Sequence, residues 1–185
     1  MITHLVRVAR LILAFEFLIN GLNGWWKVLP YPTVFDPPVP TTPPFVQAML
    51  DTGYMFGALK VVEVLGGLML FANRWVPLAL VLCFPVTVGA WSIDFFLLQR
   101  SLRAQVMGWS VLLLNTYLLF AYLRYYAPML VSRSSPIGHA PSDIPSPMVS
   151  GARSPVLAAF GVIAVAVGLW ACGWLLLMSA RQLSS

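Results

Sequence analysis

The chain has 185 residues, of which 59% are hydrophobic and only 9% charged, with a formal net charge of +5. In a soluble domain about 25% of residues are charged, so this composition cannot cover a water-facing surface and makes the bilayer the natural solvent. The basic residues stand singly between apolar runs, which excludes the clustered basic face of a nucleic-acid binder.

Backbone groups in hydrocarbon must satisfy one another, so apolar runs of about 20 residues read as helices. The first runs from Leu5 to Trp25. It resembles a signal peptide, but Glu16 interrupts it and no A-x-A-like cleavage site follows, so it is expected to remain as a helix. A proline-dense loop, residues 29–45, follows and favours extended polyproline geometry. "FVQAMLD" then suggests a short interfacial helix before the second span, Gly53 to Ala72.

The third span covers Trp75 to Leu97. The turn "ANRW" leading into it is short enough to make the second and third helices an antiparallel hairpin. The fourth span runs from Gln105 to Tyr125, and residues 131–153, rich in Ser, Pro and Gly, read as a flexible linker. The fifth runs from Pro155 to Ala180. The expected fold is an all-α polytopic membrane helix bundle. Residues 1–130 form its four-helix core, and residues 154–185 carry the fifth transmembrane helix and a short tail.

Basic residues beside the spans set orientation. With the N-terminus inside, Arg7, Arg10, Arg74, Arg124, Arg133 and Arg153 lie on the cytoplasmic side, against Lys27, Arg100, Arg103 and Arg181 outside. Trp25, Trp26 and Trp75 sit at span ends as interfacial anchors. Gly53 and Gly57, and the stripe Ala164, Gly168 and Cys172, are small-residue faces expected to let helices approach closely.

Charges inside the spans pose the functional question. Lys60 and Glu63 lie three residues apart in the second span, and a Lys or Asp at a helix centre costs about 2.5–3.5 kcal/mol on the insertion scale. Lys before Glu is the weaker order for a local pair, so each is expected to find partners on other helices. On the first helix Glu16, Asn20, Asn23 and Lys27 form one polar stripe, with Glu16 near mid-membrane. Asp94 lies near the outer end of the third helix, and Ser110 and Asn115 offer neutral groups on the fourth. Glu16, Asn20, Lys60, Glu63, Asp94 and Asn115 are therefore the candidate intramembrane polar pocket. Ligand or proton handling and a purely structural network both stay open for it.

Cys83 and Cys172 are isolated in apolar runs, and His4 and His139 lie outside the spans. That leaves no metal-ligand cluster and no disulfide framework. No nucleotide-binding or hydrolase motif is present either, and no catalytic residue can be named.

"RLILAFEFLINGLNGWWKVLP", with its Gly-Leu-Asn-Gly exit, and "TGYMFGALKVVEVLGGLMLFANRWVPLALVLCFPV" after the proline-rich loop resemble the DoxX family of small bacterial membrane proteins. The resemblance covers Val6 to Tyr126, and its strongest motif is Lys60-x-x-Glu63-x-x-Gly66-Gly67. It implies a four-helix bundle in the bacterial inner membrane, close to redox chemistry, and no defined reaction. Asp94 stands where such proteins often carry a His, Glu16 stands at a usually apolar place, and the fifth helix is an addition. The function expected is an accessory or interaction subunit of a redox or quinone-linked assembly, with a membrane-protein partner or a second copy. A quinone is the cofactor class the resemblance allows, although no motif marks a site for one. The alternative is a small-molecule or proton-coupled transporter that uses the charged pocket.

Overall fold

A computed structural model describes residues 2–26, 28–29, 44–97, 102–126 and 155–183. Among them the protein is all-helical. The proline-rich stretch 30–43, Lys27, Arg100 and the linker 131–153 lie outside the described residues, and so does the Arg103 side chain.

Helix α1 spans Ile2–Asn23, α2 Pro44–Asp51, α3 Met55–Phe71, α4 Val76–Ser92, α5 Leu102–Ala121 and α6 Pro155–Leu183. Helix α2 is the short helix expected from "FVQAMLD", and its axis meets that of α3 at 92°. Gly53 makes the corner between them with φ +73°, a left-handed conformation that glycine adopts at little cost. The G-x-x-x-G pair is therefore not a packing face. Neither Gly53 nor Gly57 has any atom near where a side chain would project.

Three helical stretches are long and apolar enough to cross a membrane: Val76–Leu97, Ala104–Ala121 and Pro155–Arg181. The bent pair α2 and α3 makes a fourth if taken as one span. These make the protein an integral membrane protein. Helix α1 has the length, 22 residues, but carries Arg7, Arg10 and Glu16 within it.

The hairpin between α3 and α4 closes through a Schellman motif. Asn73 takes φ 54°, its N–H donates to the Leu70 carbonyl, and the Arg74 N–H donates to that of Met69. Trp75 is also left-handed, at φ 51°, and Pro77 follows in the first turn of α4. Pro85 sits within α4 without ending it. The last turn of this span, Ile93–Leu97, is π-helical.

The long helices pack in a ring: α1 on α3, α3 on α4, α4 on α5, α5 on α6, and α6 back on α1, with α1 also touching α5. Successive helices run antiparallel, so α1 and α6 run parallel. Leu13, Leu80, Leu114, Tyr117 and Leu118 are fully buried at the centre. Exposed Leu65, Leu82, Ile163 and Leu177 cover the outside, the inverse of a soluble protein and the arrangement expected where lipid is the solvent. The stripe of Ala164, Gly168 and Cys172 faces inward: Gly168 abuts Ile12 of α1 and Leu114 of α5. Helix α6 is thus a member of the bundle wall and not an appendage.

Candidate functional site

Small residues decide how α1 meets α3. A Cβ on Gly21 would fall 2.6 Å from Val64 Cγ2 and 3.1 Å from the Val64 backbone nitrogen. One on Gly24 would fall 2.7 Å from Lys60 Cγ. On the other side of the seam, Gly67 lies against Leu18 and the Ala14 carbonyl, while Gly66 lies against the Cys83 thiol of α4. The Gly66-Gly67 pair thus serves two interfaces, one toward α1 and one toward α4.

This close approach covers the Lys60–Glu63 pair. Nζ of Lys60 donates to Oε2 of Glu63 at 2.8 Å, with the two side chains 12% and 10% exposed. The two ends meet each other on α3. Helix geometry allows this because residues three apart share a face, and the low dielectric of the seam strengthens a pair that is weak in water. Lys60 Nζ also lies 5.3 Å from the centroid of Phe56, a cation–π distance. The Cys83 thiol donates to the Val62 carbonyl at 3.7 Å and lies within electrostatic reach of Glu63.

Glu16 faces another way. It is fully buried, and Ser110 of α5 donates its hydroxyl to Oε1 at 2.5 Å. Cys172 of α6 lies within electrostatic reach of the same carboxyl. Oε2 is buried with no hydrogen-bond partner. Glu16 therefore belongs to the junction of α1, α5 and α6, while Gly21 and Gly24, one and two turns further along, belong to the α1–α3 seam.

Asn115 is paired differently again. Its Nδ2 donates to Thr87 Oγ1 of α4 at 2.9 Å, and its Oδ1 is buried without a partner. Ser110 and Asn115 thus bond to Glu16 and Thr87, not to Lys60 or Glu63. Asp94 is the second residue of the π-helical turn and packs against Gly108 of α5. Trp91, Phe95 and Trp109 close around that end of the α4–α5 contact, with Trp91 and Phe95 stacked at 5.5 Å and Trp91 and Trp109 edge to face at 5.4 Å. Asn20 is half-buried on α1. Asn23 clasps the chain after α1: its Nδ2 donates to the Leu29 carbonyl at 3.0 Å, and the Leu29 N–H donates to its Oδ1 at 2.9 Å.

The six candidate residues thus distribute over several helix contacts. Lys60 and Glu63 share one, Glu16 and Asn115 each bond at another, and Asp94 lies at the end of the α4–α5 contact. Three polar residues were missed as interior groups, Arg10, Thr87 and Ser179. Arg10 reads in the sequence as a flanking charge, yet it is 9% exposed, and its Nη1 donates to the Leu70 carbonyl of α3 at 2.6 Å. Its place five residues inside the first apolar run, three after Arg7, was the available signal. Thr87 gave none, since one hydroxyl in an apolar helix has no distinctive spacing.

Among the described residues no group of three or more His, Cys, Asp and Glu could hold a metal ion. In comparisons with known proteins, no family model, no curated protein and no solved structure matches this chain.

Proposed function

We propose that the protein is a DoxX-like subunit of the bacterial inner membrane, with its N-terminus in the cytoplasm, that acts as an accessory scaffold for a redox or quinone-linked membrane assembly. In this reading α1, α3, α4 and α5 form the four-helix core and α6 completes it as a fifth span. One observation carries the proposal. The motif behind the resemblance, Lys60-x-x-Glu63-x-x-Gly66-Gly67, is spent on helix packing: the charges neutralise each other and the glycines close two seams. A motif used this way builds a rigid platform, and the work of such a platform lies in what it holds.

The test is purification of the tagged full chain from its native membrane in a gentle detergent, with copurifying proteins identified by mass spectrometry. A stoichiometric oxidoreductase that leaves with the Gly21→Leu variant, in which the seam is forced open, supports the scaffold. A chain that purifies alone at one size overturns it.

A further inference from the structure

Packing accounts for the Lys60–Glu63 pair but not for Glu16. A carboxyl that only fixed the angle between α1 and α5 would have both oxygens satisfied, because a buried polar atom without a partner is costly in hydrocarbon. Glu16 has one oxygen on Ser110 and one on nothing, and none of its surface reaches the outside. An apolar residue of similar volume would pack there at less cost.

Among the described residues no charge of opposite sign is paired with it. Arg10, earlier on the same helix, is committed to the Leu70 carbonyl. On α3, Lys60 is held by Glu63 beside Gly24 and Gly21. Helix α5 presents the Ser110 hydroxyl to Glu16, while its Tyr117 phenol lies against Gly161 of α6. From α6 comes Cys172, a thiol that supplies no positive charge. What remains able to complement a carboxyl in this position is the smallest cation.

We propose that Glu16 is a proton-binding site inside the bundle, with the proton on Oε2 and Oε1 held by the Ser110 hydroxyl. The proton sits at the junction of α1, α5 and α6. Proton binding goes beyond the scaffold reading and does not depend on it, since it concerns one carboxyl whatever the bundle is attached to.

Infrared spectroscopy of the full-length protein in lipid vesicles tests this near neutral pH. A protonated carboxylic acid has a carbonyl stretch clear of the amide bands, and an ionised one does not. The wild-type protein is expected to show this band and Glu16→Gln to lose it. In Ser110→Ala the carboxyl stays in place without its donor, so the band should persist at higher frequency. That variant decides the matter even if Glu16→Gln fails to fold. The proposal is overturned if the wild type shows no such band, or if Ser110→Ala leaves the band where it was.

Discussion

Arg10 Nη1 and the Leu70 carbonyl, 2.6 Å apart, tie the first helix to the end of the third. Leu70 also accepts from the Asn73 N–H in the hairpin turn, so one carbonyl joins the turn and the α1–α3 seam. Carbonyls at a helix C-terminus carry partial negative charge, and a buried guanidinium suits them.

Arg10→Ala should therefore cost stability out of proportion to a flanking charge. Hydrogen bonds to charged groups contribute about 1.5–3 kcal/mol, and a loss in that range is expected. Equilibrium unfolding in mixed micelles would measure it, with Arg7→Ala, which is exposed, expected to change little. Equal effects of the two variants would contradict the burial of Arg10.

Gly21 should be the least replaceable position on α1. Leucine there meets the Val64 backbone as well as its side chain, and backbone cannot swing aside. Gly57, with open space around it, should accept alanine without loss of thermal stability. A scan of both positions by melting temperature checks the contrast.

Lys60→Met alone should destabilise more than Lys60→Met combined with Glu63→Leu. Removing one partner of a buried pair strands the other charge and costs about 3–5 kcal/mol, whereas replacing both by apolar groups is often neutral. The two unfolding curves, compared in the same detergent, decide it. A double variant as weak as the single one would mean that the pair itself, and not the stranded charge, sets the cost.

Tyr126 lies beyond the α5 span and donates its hydroxyl to the Pro77 carbonyl at 2.9 Å, joining the end of α5 to the start of α4. Burial first, and then neighbouring Tyr122, push its phenol up from 10.0 to about 12. The folded state therefore keeps this proton longer than the unfolded chain does. The stabilisation is complete below the unfolded value and is lost as pH rises through the folded one. Stability should fall between these two values in the wild type and fall less in Tyr126→Phe. Chemical unfolding across that alkaline range, compared between the two proteins, is the measurement.

Truncation before Pro155 should expose Leu114 and Tyr117, which are fully buried, and Tyr117 would lose its edge-to-face contact with Phe160. The shortened chain is expected to aggregate or to melt at lower temperature in detergent. Coexpression of residues 154–185 should restore monodispersity on size-exclusion chromatography. A truncated chain as stable as the whole would mean that α6 is not needed to close the bundle.

Composition and local pattern determined much of this protein. The shortage of charge dictated the membrane, and apolar run lengths placed the long helices to within a few residues. "ANRW" foretold the hairpin, and "FVQAMLD" foretold α2. These are legible because hydropathy and turn chemistry act over a few neighbouring residues. Partner choice acts at long range and was not legible. Whether Glu63 meets Lys60 or another helix, whether Arg10 flanks the bundle or enters it, and whether Gly57 packs all depend on how each helix is rotated about its axis. That rotation is set where the helices come closest, at Gly21, Gly24, Gly66 and Gly67. Only the tertiary structure decided it, because a close approach needs both surfaces, and a sequence presents one at a time.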